Sequence, residues 1–309
     1  MAAPRRSRER APVGPRAARL PTPPRGRPTR RPSRARRAGA LAALLAGAGI
    51  VALVAVGIAG EHDGSPPAAR TGPAERAAAL VAAIPDGTFD AVGTSGAATV
   101  PERLHGQPSL TIRGLPEVFY DGAEFCPYCA AERWAIVAAL SRFGTFSGLG
   151  ATASGAHDVF PGTESFRFAG SRYSSPYVAF VGLEEYSSST VDGSYVRIAR
   201  PSPAQSRLMA THERPPFASG GGFPFVDVAN RYLLPGGAVD PSLLSGLSLD
   251  EIAVALSDPS GRVARSVDGA ANLLAAAVCG ATAGHPRAVC TSPGVRGAAS
   301  RLASQRPLP

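Results

Sequence analysis

The balance of apolar and polar positions divides the chain into five segments. Residues 1–37 are rich in Arg, Pro and Ser without apolar periodicity, which predicts a disordered tail. Residues 38–60 (AGALAALLAGAGIVALVAVGIAG) carry no charged side chain. Residues 61–84 combine a polar linker with a short Ala-rich helix, and residues 85–292 carry the mixed pattern of a folded domain. Residues 293–309 predict a flexible C-terminal tail.

Short β-rich runs alternate with helical runs in the folded segment, which predicts an α/β domain. The apolar run Val118–Tyr120 favours a buried strand, and residues 130–143 predict a helix with one apolar face that ends before Gly144. Further strands are predicted at residues 110–112, 177–181, 195–198, 225–228 and 231–234, and further helices at residues 74–84, 203–211, 267–279 and from Ser248.

The uncharged segment 38–60 has the length of a transmembrane helix. At about 1.5 Å per residue it spans about 34 Å, slightly more than the ~30 Å hydrocarbon core of a bilayer. A cleaved signal peptide is the main alternative, but its apolar stretch is usually about 7–15 residues long. Arg36 and Arg37 precede the segment and Glu61 follows it. The positive-inside rule therefore predicts a single-pass plasma-membrane protein with a cytoplasmic N-terminus and an extracytoplasmic main domain, residues 61–309.

The charge distribution argues against nucleic acid as a partner. The formal net charge is +9, but residues 1–37 hold 13 Arg and one acidic residue, so this tail carries +12 and the remainder carries −3. A protein that wraps nucleic acid would place its basic residues on the folded domain. The basic tail is instead expected to set the membrane topology.

The four cysteines form two close pairs in sequence, Cys126/Cys129 and Cys279/Cys290. A CxxC at the start of a helix favours a reactive first cysteine, because unpaired helix N–H groups and the macrodipole stabilise its thiolate. We expect Cys126 to attack a substrate disulfide and the more buried Cys129 to resolve the mixed disulfide. Pro127 fits the first helical turn because it lacks an N–H.

Two other interpretations of Cys126 and Cys129 stay open. A zinc site would need Cys279 and Cys290 to join them, although an eleven-residue spacing is poor for a zinc knuckle. The pair could also be structural and inert. For the Cys279/Cys290 pair we predict a structural disulfide that stabilises by about 3 kcal/mol, with a second redox pair as the alternative.

The run Phe125-Cys126-Pro127-Tyr128-Cys129, which follows an apolar strand, resembles the active-site turn of the thioredoxin superfamily. C-P-Y-C is common in glutaredoxins and some periplasmic isomerases. Residues 115–150 resemble, more narrowly, a membrane-anchored prokaryotic family catalogued as domain of unknown function number 929, and this similarity extends from about residue 84 to residue 292. The resemblance implies a thioredoxin-like central mixed sheet flanked by helices, here with an insertion, extra C-terminal helices and one N-terminal transmembrane helix.

Thioredoxin-like proteins also carry a cis-proline that faces the dithiol at the start of a later strand. The resemblance implies that Pro224 has this role, with Pro176 as the alternative. A cis X-Pro bond leaves the preceding backbone free to pair with a substrate strand. Either proline could instead merely begin an edge strand. Phe125 stands where a minimal thioredoxin has Trp, and Tyr128 is expected to shape the rim of the site.

The charged residues around the motif give weaker signals. Glu124 and the pair Glu184-Glu185 either tune the thiolate or face solvent, and we expect them to face solvent. Glu132 and Arg133 on the active-site helix are expected to form a solvated face or a packing pair.

Two function hypotheses follow from the residues and the resemblance. The first is a membrane-anchored thiol–disulfide oxidoreductase or isomerase that acts on thiols and disulfides of exported proteins, needs no metal or organic cofactor, and exchanges electrons with an unidentified redox partner. The second is a non-enzymatic cell-envelope binding protein on a thioredoxin-like scaffold, with its CxxC locked as a disulfide.

Overall fold

A computed structural model describes residues 72–215, 217 and 222–308 of the chain. The predicted tail 1–37 and the predicted transmembrane segment 38–60 lie outside these residues. Within the part that is described, no helix combines the length and the apolarity needed to cross a bilayer.

The described residues form eight α-helices and twelve strands in a mixed order. The helices are α1 Pro73–Ala82, α2 Asp86–Val92, α3 Pro127–Leu140, α4 Pro203–His212, α5 Leu249–Ala255, α6 Arg262–Ala281, α7 Arg287–Cys290 and α8 Pro293–Ala303. The strands are β1 Glu102–Arg103, β2 Thr111–Ile112, β3 Leu115–Gly122, β4 Thr145–Ser147, β5 Gly150–Ala153, β6 Glu164–Arg167, β7 Arg172–Ser174, β8 Ala179–Glu184, β9 Tyr186–Val191, β10 Ser194–Arg197, β11 Phe225–Val228 and β12 Tyr232–Pro235.

A mixed sheet with β3 near its centre organises the domain, which confirms the predicted α/β class with helices around a central sheet. The main strand order is β1-β12-β11-β3-β8, and β2 pairs with the beginning of β3. Strand β8 runs parallel to β3, whereas β11 runs antiparallel to it. Residues 117–122 of β3 are buried, which suits the apolar run Val118–Tyr120 in a strand that is covered on both faces.

The two faces of the sheet contribute to separate apolar clusters. Val118 and Tyr120 of β3 point to the side of α3 and α6, where the larger core lies. Phe119 points to the opposite side and packs with Met209 of α4 and Phe225 of β11 in a smaller cluster. This alternation follows the two-residue period of a strand.

Helix α3 is more enclosed than its pattern indicated. The predicted single apolar face is wrong, because every residue from Pro127 to Leu140 except Tyr128 is buried. The helix packs on α6 and also touches α1 and β6, so other elements cover its outer side. A helix that is buried all round lies inside a core rather than on its surface.

Between α3 and β11 the chain contributes β8 to the central sheet, and we call the rest of this stretch the insertion. It contains three antiparallel pairs, β4 with β7, β5 with β6 and β9 with β10, followed by α4. Helix α4 begins with a capping box in which Ser202 and Gln205 exchange hydrogen bonds. Of these additions, β6 packs on α3 and β7 contacts β8 of the sheet.

The C-terminal segment 293–309 is not the flexible tail that the sequence predicted. Residues 293–303 form α8, which packs on α6 with Val295, Ala298 and Leu302 buried. Beyond the helix, Leu308 forms a bridge with Leu104 next to β1. The correction has a simple cause, since the three buried residues recur at spacings of three and four and form one narrow apolar stripe.

Candidate active site

The turn between β3 and α3 places Cys126 at the N-cap of the helix. Its backbone is extended (φ −75°, ψ 122°), and its sulfur accepts a hydrogen bond from the backbone N–H of Cys129 at 3.3 Å. Pro127 occupies the first helical turn, where a missing N–H costs no intrahelical bond. The sulfur of Cys126 therefore lies at the positive end of the helix dipole.

Burial distinguishes the two thiols. Cys126 is 8% exposed, whereas Cys129, one turn further along α3, is fully buried. Both cysteines are free thiols in the structure. Cys126 is thus the sulfur that an approaching disulfide meets first.

The surroundings move the pKa values of the two thiols in opposite directions. A hydrogen bond with the Cys129 side chain lowers the pKa of Cys126 and outweighs the burial that would raise it. The backbone N–H of Cys129 and the charge of Arg133 also lower the pKa of Cys126. Burial, by contrast, raises the pKa of Cys129 well above its ordinary value. Cys126 is therefore the thiol that ionises first.

Pro224 follows a cis peptide bond that lies beside Cys126. The Cys126 thiol donates a long hydrogen bond of 3.9 Å to the carbonyl oxygen of Phe223. The register between the strands explains this proximity. Phe225 of β11 pairs with Asp121 of β3, so the start of β11 lies at the end of β3 that leads into the dithiol.

Pro176 does not share this geometry. The peptide bond that precedes it is trans, as are the other bonds of the described chain apart from those before Pro224 and Pro286. Strand β8, which follows Pro176, runs parallel to β3 and pairs Ala179 with Glu117. The start of β8 therefore lies at the opposite end of β3 from the dithiol.

Aromatic rings from the insertion contact the residues of the active-site turn. Phe125 stacks on Tyr195 of β10 with ring centroids 4.0 Å apart, and Tyr186 of β9 meets Phe125 edge-on. Tyr128 is 45% exposed and contacts Phe160. Phe125 is thus held in place by the hairpin, while Tyr128 faces solvent at the mouth of the site.

Arg133 is fully buried, which corrects the expectation of a solvated face at Glu132 and Arg133. Its guanidinium donates to the Tyr120 hydroxyl at 3.2 Å and to the Ala123 carbonyl at 3.3 Å, and it pairs with Glu184 at 3.3 Å. Glu184, expected at the surface, is equally buried. Local sequence held no signal for this group, because Tyr120 and Glu184 lie 13 and 51 residues away from Arg133.

Glu132 is also fully buried, on the side of α3 that faces the cis-proline segment. One carboxylate oxygen accepts the backbone N–H of Ala238 at 2.7 Å, and the other has no hydrogen-bond partner among the described residues. A Cβ added to Gly237 would lie 3.7 Å from the Glu132 carboxylate and 3.9 Å from Pro224. Burial raises the pKa of Glu132 to about 8, so it keeps its proton near neutral pH.

Two further acidic residues differ from the expectation of solvent exposure. Glu124 is 5% exposed and accepts a hydrogen bond from the Thr152 hydroxyl at 3.2 Å. Glu185 is half-buried and pairs with Arg197 of β10. Both are covered by the hairpins of the insertion, whose position the local sequence around Cys126 does not encode.

Cys279 and Cys290 form a disulfide that links the end of α6 to α7, with their Cα atoms 5.6 Å apart. In this form neither sulfur is available to complete a four-cysteine zinc site. Among the described residues, no group of three or more His, Cys, Asp or Glu side chains is arranged to hold a metal ion.

Fold and site together define a mixed α/β domain with a dithiol at the leading end of its central helix. A family model described as domain of unknown function (DUF929) matches residues 104–280, and the chain belongs to this family. The matched region contains Cys126, Cys129 and Pro224. No curated protein matches the chain, and no solved structure matches it.

Proposed function

We propose that this protein is a thioredoxin-like thiol–disulfide oxidoreductase or isomerase that uses Cys126 and Cys129. The observation that carries the proposal is the position of Cys126. Its sulfur caps α3, accepts the Cys129 N–H at 3.3 Å, and lies next to the backbone before a cis-proline. This arrangement favours an ionised nucleophile within reach of a substrate backbone.

The architecture supports the thioredoxin-like assignment. The dithiol joins a central strand to an enclosed helix, and Pro224 begins a neighbouring antiparallel strand. Both features are typical of the thioredoxin superfamily, whose active-site turn the C-P-Y-C motif resembles. The insertion between α3 and β11 then accounts for the long sequence separation between the dithiol and Pro224.

The proposed reaction exchanges two electrons without a cofactor. The Cys126 thiolate attacks one sulfur of a substrate disulfide, which forms a mixed disulfide and releases the other substrate sulfur as a thiolate that takes up a proton. Cys129 then attacks Cys126, loses its own proton, and releases the second substrate sulfur as a thiol. The substrate is reduced and the Cys126–Cys129 pair is oxidised; the reverse sequence oxidises a substrate dithiol.

The proposed location is the extracytoplasmic side of the plasma membrane, with residues 38–60 as the anchor. The arginines before that segment favour this orientation, and the Cys279–Cys290 disulfide suits an oxidising compartment. Exported proteins are then the proposed substrates, and an unidentified redox partner resets the dithiol.

The decisive experiment is trapping with Cys129→Ser in the full-length chain. Without a resolving thiol, we expect mixed disulfides between Cys126 and substrate proteins to accumulate on non-reducing gels and to disappear with reductant. The double variant Cys126→Ser/Cys129→Ser is the matched control and should trap nothing. If Cys129→Ser also traps nothing, while the free Cys126 is still alkylated, the protein is a binding module rather than an enzyme.

A further inference from the structure

The hydroxyl of Tyr120 and the sulfur of Cys129 both lie next to Gly122. Tyr120 lies in β3 and is fully buried, and burial together with the charge and hydrogen bonding of the nearby Cys129 side chain raises the pKa of its hydroxyl. The backbone of Gly122 lies directly against both groups. A Cβ at Gly122 would fall 2.2 Å from the Tyr120 hydroxyl and 3.0 Å from the Cys129 sulfur, so only a hydrogen atom fits between these groups.

The Tyr120 hydroxyl also contacts a positively charged side chain. Arg133 donates to it at 3.2 Å, and its guanidinium is held in place by Ala123, Ser165 and Glu184. Because Arg133 occupies the oxygen as a donor, the hydroxyl hydrogen of Tyr120 is free to point at the Cys129 sulfur. Burial, followed by the charge of Cys129, raises the pKa of Tyr120 well above its ordinary value, so the hydroxyl keeps its proton.

We infer that Tyr120 is a catalytic residue that donates a hydrogen bond to the Cys129 thiolate, with Arg133 as the positioning residue that orients and polarises its hydroxyl. The inference rests on the proposed thiol–disulfide exchange and names a side chain that assists its second step. Burial raises the pKa of the Cys129 thiol, and the charge of Arg133 and a backbone hydrogen bond at Ala123 offset this only in part, so a further donor favours the thiolate.

In the mixed disulfide, Cys129 loses its proton and its sulfur forms a bond to the sulfur of Cys126, while the bond between Cys126 and the substrate breaks. The proton ends on the departing substrate sulfur, and Tyr120 retains its own proton throughout. In the reverse direction Cys129 is the leaving thiolate, and the same hydroxyl stabilises it. The role is therefore independent of the direction of electron flow.

Tyr120→Phe tests this assignment, since it removes the hydroxyl and keeps the ring. The reduced protein is mixed with the aromatic disulfide dithiobis(nitrobenzoate), and release of the coloured thiolate is followed in two phases. The first phase reports attack by Cys126, and the second reports resolution by Cys129, which Cys129→Ser abolishes. We expect Tyr120→Phe to slow the second phase at pH 7 by about threefold to tenfold, because a higher thiol pKa lowers the ionised fraction more than it raises nucleophilicity.

The pH profile separates a chemical role from a structural one. In Tyr120→Phe the second phase should reach a given rate at a pH about one unit higher than in the wild type, with the first phase little changed. Tyr173→Phe is the matched control, because the partly buried Tyr173 hydroxyl donates to the Leu140 carbonyl at 2.9 Å rather than to a cysteine. It should leave both phases unchanged.

Several outcomes would overturn the inference. An unchanged second phase in folded Tyr120→Phe, or equal slowing of both phases, would show that the hydroxyl does not act on Cys129. If this variant fails to fold, biosynthetic fluorotyrosine keeps the ring and supplies a more acidic donor. The pH profile of the second-phase rate should then shift to lower pH, and an unchanged profile would contradict the role of Tyr120. Absence of the first phase in the wild type would instead refute the proposed function itself.

Discussion

Cys126 and Cys129 lie one helical turn apart, yet their acidities are set by different neighbours. Cys126 owes its lowered pKa to hydrogen bonds that converge on one sulfur at a helix terminus. Cys129 is enclosed, and burial controls its pKa. The dithiol therefore contains one sulfur prepared to ionise and one that needs help, which suits a nucleophile followed by a resolving group.

Glu132 offers a test of how burial acts on a single carboxyl at this site. Its pKa is about 8 in the folded protein against about 4.5 in the unfolded chain, so the folded state binds a proton that the unfolded state releases between these values. The contribution of Glu132 to the stability of the folded state is therefore fully present below about pH 4.5 and is lost as the pH rises through about 8. Glu132→Gln should therefore be more stable than the wild type at pH 8 by on the order of 1 kcal/mol or more, with a smaller difference at pH 5.

Urea unfolding at pH 5 and pH 8, with the disulfide intact, measures this difference. Raised pKa values are also found at Asp121, Asp227 and Asp268, so these carboxyls contribute to the pH dependence of either protein. The informative quantity is therefore the difference in unfolding free energy between wild type and Glu132→Gln at each pH. Glu251→Gln is the control with the opposite sign, because hydrogen bonds from Ser248 lower the pKa of that exposed carboxyl. Stability curves of wild type and Glu132→Gln that run parallel would contradict the argument.

At the scale of elements, the helices α6, α7 and α8 form a C-terminal unit around the larger core. Helix α6 is buried along most of its length and packs on both α3 and α8. The disulfide joins the end of α6 to α7 and so fixes the entry into α8. This position fits a structural link better than a second redox pair.

Replacing both Cys279 and Cys290 by Ser should therefore change stability and leave the dithiol chemistry intact. We expect the free energy of unfolding to fall by about 2–4 kcal/mol, since the closed loop is short but constrains the unfolded chain. Denaturant unfolding measures the loss, and the reaction of Cys126 with dithiobis(nitrobenzoate) serves as the control. A variant of normal stability that can no longer be oxidised or reduced at Cys126 would instead support an electron relay.

The elements that local sequence predicts are those whose cues are contained within a few residues. The strand at Phe225–Val228, the helix that opens at Ser248 and the turn at Cys126 all carry such cues, and the structure contains them. Boundaries shifted where tertiary contacts extend an element. Strand β3 continues to Gly122, for example, because β11 pairs with it as far as Asp121 and β8 as far as Gly122.

The parts that the sequence did not predict depend on distant contacts. Arg133 is buried because Tyr120 and Glu184 satisfy it from elsewhere in the chain, and a charged pair on a helix ordinarily faces water. Helix α8 was not predicted because its apolar stripe, Val295, Ala298 and Leu302, is short and narrow and is buried only by contact with α6. Contacts between segments that are distant in sequence decide both features.

At the scale of the whole molecule, the active site and the family match lie in one part of the chain, and the proposed anchor lies in another. The match covers residues 104–280 and includes the dithiol. The proposed anchor at residues 38–60 lies well before it and is argued from length and charge alone. The orientation of the active site relative to the membrane is therefore tested separately from its chemistry.

Protease protection provides that test. With the full-length chain in inverted inner-membrane vesicles, the domain should be enclosed, so added protease should remove only the tail 1–37 and leave a fragment that retains the dithiol. Detergent should then expose the domain to digestion. Complete digestion without detergent would place the domain on the cytoplasmic side, and release of the chain by carbonate washing would show that residues 38–60 do not anchor it.

The contact surface at Gly122 has a consequence for how the family can diverge. A side chain at position 122 and a tyrosine at position 120 cannot coexist without displacement of the tyrosine hydroxyl, whose contact distance to an added Cβ is 2.2 Å. The two positions should hence co-vary among relatives: chains that keep tyrosine at the first are confined to glycine at the second, and larger residues at the second become permissible only once the ring is lost.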